Sequence, residues 1–283
     1  MKKARFQLIF SMVVFGTLAP FVRNVPLPSA ELALCRALMA AGLIGGWLFL
    51  SKDKQPLKGI KKELPLLFLS GAAMAVNWIL LFQAYQYTSI SAATLSYYFA
   101  PVLVTLACPF LFREKLTQKQ LLCFLMSTIG VLLITGVPDL TNPSRDTIGI
   151  LLGLGAACFY ATVILLNKFI RKVDGISRTF LQFLAAILVL FPYVAATGGF
   201  HLGNLQPLGW LNLLIIGLFH TGITYCLYFT SLKSLPGQEA AILSYVDPLV
   251  AVLVSVTILG EAITLPQIIG AILILGFALW NEL

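Results

Sequence analysis

The amino-acid sequence predicts an all-α polytopic membrane protein whose ten transmembrane helices form two inverted five-helix repeats. Three observations carry this. Hydrophobic residues are 59% of the 283 and charged residues 11%, with a mean hydropathy of +0.93; a water-soluble domain has about 45–50% and about 25%. The apolar residues fall into ten runs, each near the roughly 20 residues a helix needs to cross a bilayer. The chain also repeats itself. Tyr98–Gln120, an apolar stretch with an early proline and an acidic turn, returns as Tyr245–Gln267 with Tyr98/Tyr245, Pro101/Pro248, Leu106/Leu253, Glu114/Glu261, Thr117/Thr264 and Gln120/Gln267 identical and no gap. Phe82/Phe229 and Ala93/Ala240 keep the same offset upstream. An offset of half the chain means two copies of one unit.

Taken in order, the runs are 6–23, 31–50, 64–86, 91–112, 118–136, 147–168, 177–197, 210–230, 238–259 and 264–281. The first follows Lys2, Lys3 and Arg5, a basic start of the kind found on signal peptides. Its length, the lack of a small-residue cleavage site and nine further runs predict a retained helix instead. Junctions three-to-four and nine-to-ten are the shortest. Cys35, Cys108, Cys123, Cys158 and Cys226 all lie in apolar runs without CxxC spacing, which argues against a zinc site or a disulfide framework and for packing.

Basic residues fix the expected orientation. With a cytoplasmic N-terminus, inside segments hold Lys2, Lys3, Arg5, Lys52, Lys54, Lys58, Lys61, Lys62, Arg113, Lys115, Lys119, Lys168, Arg171, Lys172, Arg178 and Lys233, whereas outside segments hold Arg23 and Arg145. This strong positive-inside bias predicts both termini in the cytoplasm and an integral protein of a prokaryotic-type plasma (inner) membrane. The net charge of +8 is thus a matter of loops and anionic headgroups. No basic patch interleaved with aromatics suggests nucleic acid. Five spans is an odd number, so the second copy starts from the opposite face. The units expected are 1–140 and 141–283, inverted about an axis in the membrane plane. Such repeats place a site near the midplane and let the halves rock around it.

The pattern resembles the drug/metabolite transporter superfamily, and within it the ten-span EamA-type transporters. The resemblance rests on Phe15-Gly16, Arg36-Ala37-Leu38, Ala100-Pro101 with Arg113-Glu114-Lys115-Leu116-Thr117, and Asp247-Pro248 with Gly260-Glu261-Ala262-Ile263-Thr264 and Gly270–Gly276. It covers nearly the whole chain and is specific for fold rather than substrate. It implies export of amino acids, aromatic ones among them, or of other metabolites or drug-like and quaternary cations. It also implies a central cavity lined by spans 1, 3, 4, 6, 8 and 9, with spans 5 and 10 to one side.

Within that frame Asp247 is the sharpest candidate. It lies deep in the ninth run beside Pro248, opposite the neutral Ala100 of the first copy. A carboxylate there costs about 2.5–3.5 kcal/mol on insertion scales, so it must face protein or water. The proline also leaves the carbonyl of Leu243 or Ser244 without its helical donor. Asp247 could exchange a proton, hold a substrate cation, or pair structurally with Arg36, Lys168 or a hydroxyl. Arg36 is read as a snorkelling or structural residue paired to Glu31 or loop carbonyls, with a substrate carboxylate as the competing partner. An aromatic-polar stripe supplies the remaining cavity candidates: Asn77, Trp78 and Phe82 in span 3, Tyr97 and Tyr98 in span 4, Tyr160 in span 6, Thr224, Tyr225 and His220 in span 8, and Ser244 and Tyr245 in span 9. Rings with polar tips suit a mixed apolar–polar metabolite and can also accept a cation; the competing reading is ordinary core. His220 is a second proton candidate. Asn167 and Gln182 could bridge helices.

Glu114 and Glu261 are expected on opposite faces, each capping the helix that follows it, so they do not form an acid/base pair. No nucleophile elbow, HExxH, Walker or GxGxxG motif is present. The expectation is a non-enzyme with no cofactor and no metal, whose partners are a small-molecule substrate and membrane lipids; monomer and homodimer stay open. A structural or lipid-handling membrane protein is the competing class.

Overall fold

A computed structural model of the chain describes residues 2–50, 60–112, 117–135, 144–173, 175–232, 235 and 243–282. The described secondary structure is helical. The elements are α1 Lys2–Gly16, α2 Leu18–Arg23, α3 Ser29–Leu50, a 3-10 turn Ile60–Lys62, α4 Leu64–Tyr87, α5 Ile90–Tyr97, α6 Ala100–Phe112, α7 Gln118–Thr135, α8 Arg145–Phe169 and α9 Gly175–Thr197. After a second 3-10 turn, Leu202–Asn204, come α10 Pro207–Leu214, a π-helical stretch Ile215–Ile223, α11 Thr224–Leu232, α12 Val246–Thr257 and α13 Leu265–Glu282. They make up the ten spans expected from the apolar runs. Six are continuous enough and apolar enough to cross a membrane by themselves: Lys2–Arg23, Ser29–Leu50, Leu64–Tyr87, Arg145–Phe169, Gly175–Thr197 and Pro207–Ser231. The shorter apolar helices Ile90–Val104, Gln118–Ile134, Val246–Thr257 and Leu265–Phe277 stand where spans 4, 5, 9 and 10 belong. Residues 238–242 of the expected ninth run lie outside the described residues, as do Lys52, Lys54, Lys58, Arg113, Glu114, Lys115 and Lys233.

Helix starts follow the local chemistry. Ser89 and Ser144 accept from the backbone N–H of Ala92 and Thr147 (both 3.1 Å), as N-cap hydroxyls do. Thr117 and Gln120 form a reciprocal capping pair at α7, and their repeat twins Thr264 and Gln267 do the same at α13. The capping pair at α13 corrects the expectation for Glu261. Since Thr264 and Gln267 serve α13, the Glu261 carboxylate is free to reach the other repeat, where it accepts the Ile90 N–H (2.9 Å) at the start of α5.

The packing obeys the symmetry that the repeat implies. Exchanging each span for its equivalent turns the α4–α8 contact into that of α11 with α1, α4–α9 into the π stretch with α3, and α5–α8 into α12–α1; all six occur. The pairs α3–α9, α5–α12 and α7–α13 map onto themselves and so lie across the pseudo-axis. The α7–α13 pair stands to one side, as the resemblance implies for spans 5 and 10. It is closed by two glycines. A Cβ on Gly270 would sit 2.5 Å from the Gly130 carbonyl oxygen, and one on Gly130 would sit 2.7 Å from the Gly270 oxygen. Small residues let backbones approach this closely where no hydrophobic effect drives helices together.

The core mixes alanine, its commonest residue, with large side chains such as Phe82, Phe183, Leu34, Ile44 and Leu190, all fully enclosed. The perimeter is apolar as well: Phe6, Phe49, Phe110, Leu188, Leu253 and Ile272 are exposed. An apolar surface of this extent needs lipid as its solvent. This is an integral membrane protein.

Candidate functional site

The helices are interrupted where the symmetry axis passes. Span 4 breaks at Tyr98 and Phe99, between α5 and α6, with Pro101 in the first turn of α6. Span 9 breaks at its twin Tyr245, with Pro248 in the first turn of α12. Span 1 breaks at Thr17, and span 8 loosens into the π stretch. Proline removes a donor and obstructs the preceding turn, which accounts for the matched breaks in spans 4 and 9. In the π stretch, side chains take over wide-turn carbonyls. Thr221 Oγ1 donates to Ile216 O and Thr224 Oγ1 to Phe219 O (both 2.7 Å), each five residues back.

Asp247 stands at this junction. The Tyr98 hydroxyl donates to its Oδ2, so the acid of one copy is held by a tyrosine of the other, across the α5–α12 contact. Of the structural partners expected for Asp247, the hydroxyl is the one found. Among the described residues no Lys or Arg is within ion-pair distance of it. Gly16 brings span 1 against the same turn. A Cβ there would lie 2.6 Å from the Asp247 carbonyl oxygen and 2.7 Å from Val250 Cβ. Asp247 is half-buried and among the described residues its carboxyl group has one donor, which leaves it capacity for a cation or a proton.

Aromatic rings surround it. Tyr97 stacks on Tyr160 (centroids 5.2 Å apart) and meets Tyr98 edge-on (5.8 Å). On the other side Tyr225 meets Phe15 (5.2 Å), Phe183 (5.5 Å) and Phe229 (5.9 Å), while Tyr228 meets Phe15 and Phe229. Tyr97, Tyr160 and Tyr225 are all within electrostatic reach of Asp247. Tyr97, Tyr98, Tyr225 and Tyr228 are half-buried and Tyr160 is 37% exposed. Rings from spans 4, 6 and 8 therefore gather near the acid with part of their surface uncovered, a tyrosine-walled region beside the carboxyl group.

Other sequence candidates stand behind these walls. Asn77 is buried and donates to the Ala156 carbonyl (2.7 Å), tying α4 to α8. Thr224 spends its hydroxyl on the π stretch. Trp78 and Phe82 are buried; Trp78 packs edge-on against Phe183 (5.3 Å), and both rings lie under the Arg36 guanidinium at 4.8 and 5.5 Å. His220 is buried between Thr17 Oγ1 (3.1 Å from Nε2) and Ile215 O (3.3 Å from Nδ1), against the Phe21 ring. Through these two contacts His220 joins the broken span 1 to the π stretch. Ser244 and Tyr245 are half-buried at the span 9 break. Gln182 bonds Ser70 Oγ (2.6 Å) and Asn167 Oδ1 (2.7 Å), the helix-bridging role weighed for it.

Glu31, the expected partner of Arg36, is taken instead by His201, through Oε1 to the backbone N–H (2.7 Å) and Oε2 to Nδ1 (3.0 Å). The polar groups assigned to one membrane face do meet at one end. There Arg23 donates to Glu261 Oε1 (2.6 Å), Tyr85 O (2.9 Å) and Thr88 O (2.6 Å). Glu261 also takes the Ser255 hydroxyl, and Ser255 is bonded by Ser91 (2.7 Å). At the opposite end Glu63 receives the backbone N–H groups of Arg171 and Lys172 (3.1 Å).

A bundle of this symmetry has counterparts among known sequences. The profile of the EamA-like transporter family matches twice, over residues 2–136 and 147–281. The chain belongs to the EamA-like transporter family. Among its EamA relatives, an uncharacterized transporter YxxF of Bacillus subtilis is 32% identical over 281 residues, 98% of this chain and 88% of its own. An uncharacterized transporter of Archaeoglobus fulgidus is 29% identical over 286 residues, 100% of this chain and 98% of its own. A solved crystal structure matches with a TM-score of 0.66 at 17% identity, covering 97% of this chain and 95% of that one, which shows likeness of fold. The EamA fold thus carries a membrane transporter.

Sequence reasoning placed Tyr228 on the eighth-span stripe with Tyr225 and left Phe15 and Phe183 out of the candidate site. Phe15 was legible only as part of the Phe15-Gly16 pair. Phe183 lies in span 7, where nothing in the sequence sets it apart from other apolar residues.

Proposed function

We propose that the protein is a secondary transporter that moves a small metabolite by alternating access, with the tyrosine chamber and Asp247 as its binding site. The observation that carries this is the cluster of Tyr97, Tyr98 and Tyr160, with Tyr225 within electrostatic reach, at a carboxyl group whose one donor among the described residues comes from the other repeat. A site shared by two symmetric halves and bordered by broken helices changes shape when one half moves against the other. Aromatic walls with hydroxyl tips and one acid suit an amino acid, an aromatic one first, held by its ammonium and its ring. The same pairing of rings and acid favours a second reading, an organic cation. Residence in the inner membrane, cytoplasmic termini and two units of 1–140 and 141–283 complete the proposal and rest on the basic-residue bias and the repeat; export rests on the resemblance to EamA-type exporters. A small-molecule substrate and the surrounding lipids are the partners, and the chain is read as working without cofactor chemistry.

A thermal-shift screen of the purified protein with aromatic amino acids and organic cations tests the reading, followed by uptake of any hit into proteoliposomes. Stabilisation that is lost in Asp247→Asn supports it. Uptake of a hit at wild-type rate and with unchanged pH dependence in a folded Asp247→Asn protein sinks it. A purely structural or lipid-handling protein would instead show packed rings and no ligand-dependent shift.

A further inference from the structure

Arg36 is 3% exposed, yet none of the described residues neutralises its charge. Its Nε donates to Thr221 Oγ1 (2.6 Å), and the plane of the guanidinium lies over Trp78 and Phe82. Among the described residues no carboxylate is within ion-pair distance of it, since Glu31 faces His201, Glu261 faces Arg23 and Asp247 is bonded by Tyr98. The enclosed side-chain nitrogen and oxygen atoms that lack a partner among the described residues are Thr94 Oγ1 and Ser127 Oγ. The Arg36 Nη atoms are not among these and have no acceptor among the described residues, so these nitrogens are not fully enclosed and keep donors to spare. They face the same rings as the acid does: Tyr97 and Tyr225 stand within electrostatic reach of both Arg36 and Asp247, and Arg36 lies 4.8 Å from the centroid of Trp78, the ring that packs on Phe183 beside Tyr225. A cation enclosed by helices demands an anion, and the aromatic stacking supplies only part of that demand. A guanidinium with its fork free matches a carboxylate edge-on.

We infer that Arg36 is the carboxylate site of this chamber, opposite Asp247, so that the substrate carries a carboxylate as well as an apolar body. The inference rests on the transport reading only for the purpose of the chamber; the binding it asserts is measured without transport. Phenylacetate and phenylacetamide have the same ring and length and differ in the charge that Arg36 would read. Titrated to about 10 mM into the detergent-purified full chain, with tryptophan fluorescence and melting temperature as readouts, phenylacetate binds at least about tenfold more tightly than the amide, the discrimination expected of a charge-assisted bidentate pair. In Arg36→Met, which places an apolar stem over Trp78 and Phe82, that preference disappears. In Arg36→Lys, which keeps the charge and loses the fork, it falls to an intermediate value and serves as the readout if the Met protein does not fold. Equal responses to acid and amide in the wild type, no response to either, or an acid preference that survives in the folded variants would each overturn the inference. Loss of the acid preference together with intact two-sided access to the chamber would leave the transport reading standing.

Discussion

Replacing Glu261 with Gln weakens the closure of the end that carries Arg23. The carboxylate receives three donors: Arg23 Nη1 at 2.6 Å, the Ile90 N–H at 2.9 Å and the Ser255 hydroxyl. They come from span 1, from the start of span 4 and from span 9, so both repeats are joined through one side chain. Gln keeps one acceptor oxygen and loses the charge. Hydrogen bonds to a charged group are worth about 1.5–3 kcal/mol. The Arg23 side chain is 30% exposed and that of Glu261 14%, which places the ion pair toward the low end through solvent screening. Arg23 keeps its bonds to Tyr85 O and Thr88 O in the variant, so its own placement survives. The net loss is about 1.5–2 kcal/mol, or roughly a 10–30-fold shift toward conformers open at this end. A single cysteine at position 225, in a chain whose native Cys35, Cys108, Cys123, Cys158 and Cys226 are serine, reports that opening as the rate of modification by an impermeant thiol reagent from the Arg23 side. Tyr225→Cys with Glu261→Gln should react about tenfold faster or more, and Arg23→Gln added to it should contribute less than it does alone. A rate within twofold of the Glu261 parent, at equal expression, would falsify the claim that this cluster holds the end shut.

Three further outcomes follow from the packing. Gly270→Ala drives a methyl to 2.5 Å from Gly130 O and 2.8 Å from Ile134 Cγ1, and the resulting separation of α7 and α13 should cost about 1–3 kcal/mol of stability, read as a lowered melting temperature with the chamber intact. Gly16→Ala crowds Asp247 O and Val250; it should abolish ligand stabilisation while the protein still reaches the membrane, and unchanged ligand binding would count against the close approach. Asp247→Asn retains an acceptor for the Tyr98 hydroxyl and removes the charge, so the fold should stay within about 1 kcal/mol of wild type while binding of amines, tested with phenethylamine, drops at least about tenfold. An equal affinity in the folded variant would show that the acid does not face the ligand.

How far the sequence carried this account depends on what the sequence encodes. The span count and the opened backbone before Pro248 were legible because apolar run length and a proline are local signals, whereas the off-axis place of α7–α13 came only with the resemblance to EamA-type transporters and the break at Tyr98 was not expected. The Thr117–Gln120 and Thr264–Gln267 caps were equally local, being three residues apart. What stayed hidden was spatial. Nothing near Glu261 announces Ile90 or Arg23, so a carboxylate that bridges repeats looked like one that caps the next helix. Arg36 was expected to find Glu31 because the two are near neighbours in sequence, but Glu31 points to the connection that carries His201. Asn77 and Phe183 show the same: the polar residue of the stripe serves α8, and an unremarked phenylalanine of span 7 packs against Tyr225. Periodicity marks a face of a helix, and only the neighbour decides whether that face is a wall or a seam.

The most direct test of the central claim is access to the tyrosine chamber from each side of the membrane. The Tyr225→Cys chain, free of its native cysteines, can be treated with an impermeant thiol reagent in right-side-out and in inside-out vesicles. The account predicts modification in both preparations, slowed by a bound ligand in each. Modification from one side alone, or from neither, would contradict it.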